Sequence, residues 1–313
     1  MVTLRFPKRS RVVKSLLGYL MIGLVKLLGL VPLSAAQKVG TGIGNMLWKR
    51  RTRSREVARV NLALCYPDMG EAERETFIHE TLKENGKIAA ELGPMWSYDP
   101  EKTYGLIRNV YGEDILDAAI ADKRGLILLA PHLGNWEIIN NYISKKCPIT
   151  IMYRPAKSTS FNKWMVTRRE HVGCKLVPTT RAGVKSLFDA LNNGEMIGFL
   201  PDQEPREKSG VWAPFMGVET LTPKLPHEML QKTGAQAIYG FAKRLPDALG
   251  FDLYFLSVDD DLYDADPRVC ATSMNRGIET CIGYCREQYQ WTYKRFKRRP
   301  DGENNPYKEA GVP

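Results

Sequence analysis

Histidine is scarce in this chain, with four residues in 313 (His79, His132, His171 and His227), and none stands in an H-E-x-x-H pair. That leaves no ligand set for a metal, and neither a metal nor another cofactor is expected. No G-x-S-x-G elbow occurs, which argues against an α/β-hydrolase serine. The six cysteines (Cys65, Cys147, Cys174, Cys270, Cys281 and Cys285) lie in a chain too long to need disulfide staples, so they read as buried thiols of a reducing compartment. Cys281 and Cys285 are one helical turn apart, which is not a zinc spacing. No internal repeat or low-complexity linker interrupts the chain. The fragment Gly40-Thr-Gly42-Ile-Gly44 mimics part of a dinucleotide fingerprint, but no strand precedes it, so close helix packing is its expected role. Acid is in deficit: 35 Asp and Glu face 45 Lys and Arg, giving a formal charge of +10 and a pI near 9.2. Such a balance asks for an acidic partner. With no RNA-recognition, zinc-finger or helix-turn-helix pattern, nucleic acid is the weaker choice against anionic membrane, acidic protein or acidic lipid.

A long uninterrupted apolar run is missing too. Leu16 to Leu33 is apolar except for Lys26 and would make a helix roughly 27 Å long, against a hydrocarbon core of roughly 30 Å. Residues 1–36 are therefore expected to form a membrane anchor. An interfacial helix with Lys26 snorkelling is favoured over a single span, because basic clusters on both sides oppose a defined orientation. Ser34-Ala35-Ala36 leaves a cleaved signal as the third reading. Basic residues gather at Arg5 to Lys14, Lys49 to Arg59 and Lys294 to Arg299, and those flanking the apolar segment suit anionic lipid.

From residue 37 to 103 the pattern is helical, with good helix formers from Glu71 to Glu91. From 104 to 300 strands and helices alternate. Strands are expected at 125–131, 149–154, 175–178, 196–201, 235–244 and 251–259, and helices at 135–145, 160–172, 181–192, 223–233 and 273–288. This is an α/β fold: a central mixed, largely parallel sheet with helices on both faces, preceded by the membrane-anchoring helical region. Residues 301–313 read as a flexible tail.

The most informative stretch is PHLGNWE (131–137), which follows the apolar run GLILLA (125–130). Residues five apart on a continuous helix lie about 140° apart, so His132 and Glu137 meet only if His132 precedes the helix and Glu137 opens it. Gly134 supplies the bend and Asn135 the N-cap. Glu137, ionised near the positive helix end, would then hold one imidazole nitrogen and leave the other as a base. The nucleophile would be a hydroxyl on the substrate. The backbone N–H groups of 134–136 are available in principle for an oxyanion. If the strands run parallel, Arg154, Asp202 and Gln203 end on the same sheet edge as His132, where α/β sheets bind ligands, with Arg168, Arg169 and Arg206 nearby. Trp212, Phe215 and Met216 offer apolar area for a ligand or are plain core.

HLGNWE resembles the first motif of the lipid A late (secondary) acyltransferases. RVNLALCYPD (59–68), MYRP (152–155), FLPDQ (199–203), GVWAPFMGVETLT (210–222) and WTYKRFK (291–297) resemble further motifs of that family in the same order, over most of the chain. The resemblance implies transfer of a fatty acyl chain from acyl carrier protein to the hydroxyl of a 3-hydroxyacyl chain on a lipid A precursor. It also implies the inner membrane, with the catalytic domain facing the cytoplasm. His132 and Glu137 would be catalytic, and Arg154, Arg169, Asp202, Gln203 and Arg206 would bind substrate. Rivals are acylation of another glycolipid or of glycerol phosphate, and a non-catalytic basic membrane adaptor. Glu137 in place of Asp disfavours the glycerol-phosphate branch.

Overall fold

The computed structural model describes residues 11–312, so most of the basic run from Arg5 lies outside the described residues. The chain opens with helices α1 (Arg11–Gly29), α2 (Leu33–Lys49), α3 (Arg53–Cys65), α4 (Glu71–Ser97) and α5 (Pro100–Tyr104). There follow β1 (Ile107–Tyr111), α6 (Glu113–Ala121), β2 (Leu126–Leu129), α7 (Trp136–Lys146), β3 (Ile149–Tyr153), α8 (Thr159–Glu170), β4 (Lys175–Pro178), α9 (Arg181–Asn192) and β5 (Met196–Phe199). The hairpin β6 (Gly210–Phe215) and β7 (Val218–Pro223) leads to α10 (Leu225–Thr233), β8 (Gln236–Arg244), β9 (Phe251–Ser257), α11 (Pro267–Gly283) and α12 (Pro306–Glu309).

Among the described residues, seven strands form one sheet in the order β1-β9-β8-β2-β5-β3-β4. The run from β8 to β4 is parallel, and β9 pairs antiparallel with β8, so the sheet is mixed and largely parallel as expected. All four residues of β2 are buried, which is why it reads as a continuous apolar run rather than an alternating one. Ile127 and Leu129 join a core with α3, α4, α9 and α11 on one face, whereas Leu126 and Leu128 join a second core with α6, α7 and α8 on the other. Gly40 and Gly44 serve helix packing as expected: a Cβ on either would come within 2.6 Å of the α4 backbone.

Three expectations change. The edge strand β1 was not foreseen, because IRNVY has an exposed, polar pattern. The hairpin β6–β7 was not foreseen either; it turns at Met216 and Gly217, both left-handed at φ 50° and 76°, a turn matched to strand twist. The segment 301–313, expected to be a flexible tail, packs: Tyr307 is fully buried and its hydroxyl bonds Asn61 Oδ1, while its ring adds apolar area to the core.

No helix among the described residues is long and apolar enough to cross a membrane. Helix α1 instead lies on α4 and α8, with Gly18 against Ser158 and Gly29 against Gly93 and Ser97. Its outer face leaves Leu16, Leu20, Leu24 and Leu27 each more than half exposed.

Candidate active site

The turn between β2 and α7 is built as its sequence suggests. Gly134 is left-handed (φ 59°), and a Cβ there would strike the Ala242 carbonyl of β8 at 1.8 Å. Asn135 caps α7, its Oδ1 accepting from the Glu137 N–H at 3.1 Å. The cap is itself fixed by a buried network. Asn135 Nδ2 donates to Glu91 Oε2 (2.8 Å), Gln37 Nε2 donates to Glu91 Oε1 (2.8 Å), and Arg244 binds both Glu91 oxygens. The ion pairs of Arg244 with Glu91 and Glu84 outweigh its burial and hold its guanidinium above the usual range. Satisfied networks of this kind rigidify what they touch.

The imidazole of His132 does not pair with Glu137. Its Nδ1 meets Asp202 Oδ1 at 2.7 Å, and the His132 backbone N–H donates to Asp202 Oδ2 at 2.9 Å. Asp202 reaches it because β2 and β5 are neighbouring parallel strands whose ends converge. Burial by itself would raise the Asp202 pKa, but the histidine's charge and hydrogen bonds outweigh burial and hold it below the usual carboxylate range. An ionised Asp202 can only accept, so Nδ1 carries a proton, and in the neutral imidazole this leaves the lone pair on Nε2. Gln203 Nε2 lies 3.2 Å from that Nε2 and also donates to Gln290 Oε1 at 3.3 Å. The side chain is 15% exposed and lines a cavity together with Gln203.

Glu137 is buried, 3% exposed, and faces away from the imidazole. It accepts from Trp96 Nε1 and Arg169 Nε, each at 3.0 Å, and forms an ion pair with Arg169. The first-turn acid thus fastens α7 to α4 and α8. Arg168 points elsewhere, onto the Trp96 carbonyl. Two of the backbone groups expected to serve an oxyanion are occupied: Gly134 N–H donates to Gln288 O and Asn135 N–H to Ala242 O.

Two cavities adjoin, and His132 lines the smaller. A slot of about 400 Å³ runs from His132, Trp136 and Gln203 between α7 and the sheet, down to Leu128, Ile151, Leu176 and Gly198. A broader basin of about 1490 Å³ shares Met152, Arg154, Thr179 and Phe199 with it. Seven cations line the basin, including Arg53, Arg154, Arg181, Arg206 and Lys297, against one acid, Glu204, which Arg298 neutralises. The clusters read separately near residues 49–59 and 294–299 therefore contribute to one surface. Not all their members do: Arg55 pairs with Glu75, Arg59 with Glu56 and Glu75, and Arg299 with Glu303. Arg295 is buried, its guanidinium donating to the Leu221 carbonyl and to Thr222 Oγ1. Trp212, Phe215 and Met216 line neither cavity, and Phe215 is core. Gln290 and Tyr293, which sequence reasoning missed as neighbours of the site, arrive on a C-terminal segment whose carbonyls at Trp291 and Tyr293 are held by Asn61 Nδ2.

The chain matches the family of bacterial lipid A biosynthesis acyltransferases over residues 4–298. It is 27% identical over 292 residues to the lipid A biosynthesis lauroyltransferase of Escherichia coli K12, covering 93% of this chain and 94% of that one. It is 31% identical over 270 residues to the lipid A biosynthesis palmitoleoyltransferase of the same organism, covering 86% and 87%. A third relative, the lipid A biosynthesis myristoyltransferase of that organism, is 24% identical over 273 residues, covering 86% and 83%. The chain belongs to the bacterial lipid A biosynthesis acyltransferase family and is an acyltransferase.

Proposed function

We propose that the protein moves a fatty acyl chain from the thioester of acyl carrier protein to the hydroxyl of a 3-hydroxyacyl chain on a lipid A precursor. The observation that carries this reading is the His132–Asp202 pair, with His132 lining a slot floored by aliphatic side chains that adjoins a basic basin through Arg154. His132 Nε2 accepts the proton of the acceptor hydroxyl as its oxygen attacks the thioester carbon. Asp202 stabilises the imidazolium that forms. The tetrahedral oxyanion is met by the Gln203 amide and the Arg154 guanidinium, both of which line the slot. Collapse breaks the carbon–sulfur bond, and the departing thiolate takes the proton back from His132. Glu137 is a positioning residue here rather than the histidine's partner, and Arg169 neutralises it.

The basic basin supports a phosphorylated acceptor, with Arg154 and Arg206 as its substrate contacts, and an acidic carrier protein as donor. Relatives named for lauroyl, palmitoleoyl and myristoyl transfer support a fatty acyl donor. The exposed leucine row of α1 supports an interfacial membrane anchor, and the cytoplasmic face of the inner membrane is the location that goes with a carrier-protein donor. The test is the purified protein with acyl carrier protein thioester and detergent-dispersed precursor, read by mass spectrometry. One added acyl chain with wild type, and a rate lower by ~10²–10⁴-fold with His132→Ala, is expected. A His132→Ala protein as active as wild type ends the mechanism.

A further inference from the structure

The floor of the slot is a single row of side chains crossing four parallel strands. Leu128 of β2 is in register with Gly198 of β5, Gly198 with Ile151 of β3, and Ile151 with Leu176 of β4. Residues in register face the same side of a sheet, so the row is a ridge with a gap where Gly198 has no side chain. Beneath it the next row, with Met196 between Leu126 and Ile149, is buried and closes the sheet face. Adjacent rows are about 6.6 Å apart, two residues at about 3.3 Å. The glycine therefore sets how deep an occupant can descend from His132.

We propose that this slot holds the hydrocarbon tail of the acyl donor and that Gly198 fixes the chain length accepted. This rests on the acyl transfer proposed above. The donor reacts at the first carbon of its chain, so a slot that has the base among its lining and an aliphatic floor receives it end-on. The acceptor reacts at the third carbon of its chain, close to a polar headgroup, which the wide basic basin suits and the aliphatic floor of the slot does not. A Cβ on Gly198 would lie 3.1 Å from Ile151 Cγ1, the side of a flexible chain that borders the cavity, so alanine is accommodated by a small shift.

The experiment measures kcat/KM for a series of carrier-protein thioesters of graded saturated chain length, in wild type, Gly198→Ala, Gly198→Val and Leu128→Ala. Gly198→Ala should move the optimum to shorter chains, with ~10-fold or greater loss on the wild-type optimum relative to a donor one or two carbons shorter, as one methylene in an apolar pocket discriminates. Gly198→Val should move it further, and Leu128→Ala should move it to longer chains. Ratios between donors do not depend on the fraction folded, so a merely destabilised variant shows a uniform loss and an unmoved profile, and that result overturns the inference. A shift that follows the acceptor's chain length instead also overturns it. If wild type transfers no chain from any donor, the acyl-transfer reading fails; if it transfers but Gly198 variants keep its profile, only this inference does.

Discussion

Replacing Asp202 with Asn separates the two carboxylates that compete for the role of histidine partner. In the native site one oxygen of Asp202 takes the imidazole Nδ1–H at 2.7 Å and the other takes the His132 backbone N–H at 2.9 Å. Asparagine has one acceptor for these two donors. If its oxygen stays on the backbone N–H, its amide faces Nδ1, which must give up its proton. The proton then sits on Nε2, the atom that has to act as base. Such a tautomer error costs on the order of 10⁴ in kcat, or about 5.5 kcal/mol at about 1.36 kcal/mol per decade. Glu137→Gln acts differently. It leaves the Arg169 charge, mostly buried, without its ion partner, which costs about 3–5 kcal/mol of stability. With an unfolding entropy of about 2.1 cal/mol/K per residue, that lowers Tm by about 5–8 °C. Steady-state rates at a temperature where both variants are folded, paired with calorimetry, give the answer. Per folded molecule, Asp202→Asn should lose at least ~10-fold more kcat than Glu137→Gln. The reverse ranking would return Glu137 to the histidine and refute the assignment of Asp202.

Because Asp202 titrates below its unfolded value, its contribution to stability is fully present above about pH 4 and lost as pH falls through the folded pKa. The stability gap between wild type and Asp202→Asn, measured by urea titration, should shrink on acidification below that point, and a gap that widens there contradicts the sign. Salt should raise KM for the carrier-protein donor more than it changes kcat, since exposed contacts weaken as the Debye length falls from about 10 Å at 0.1 M to about 3 Å at 1 M. Lys297→Glu and Arg181→Glu should imitate high salt, and a salt-indifferent KM removes electrostatic docking from the account. Burial pushes the Cys174, Cys270 and Cys285 thiols up to about 12 and Cys147 up to about 11. Maleimide at neutral pH should therefore label the native protein slowly, with fast modification appearing only in denaturant.

Local chemistry was legible in the sequence, and long-range pairing was not. The bend at Gly134 and the cap at Asn135 are written in adjacent residues, and both stand where the turn requires them. The apolar runs of β2, β3 and β5 announce buried parallel strands, and their parallel course brings Arg154, Asp202 and Gln203 to the edge that holds His132. Which carboxylate reaches the imidazole was not readable. Glu137 is five residues away but starts a helix that turns it toward Arg169, whereas Asp202 is seventy residues away and adjacent in space. The same limit hid the burial of Arg295 and Tyr307. Their run of charged and polar neighbours looks like a solvated segment until Asn61 and Thr222 are brought against it. The gap at Gly198 had no signal at all, because a glycine in a short apolar strand acquires its meaning only from Leu128 and Ile151 beside it.

The most direct test of the central claim is the lipid A mass spectrum of cells that lack this protein, complemented with wild type or with His132→Ala at matched expression. Wild type should restore one acyl chain per molecule, and His132→Ala should leave the underacylated precursor. An unchanged spectrum with wild type, or full acylation with His132→Ala, would contradict the account.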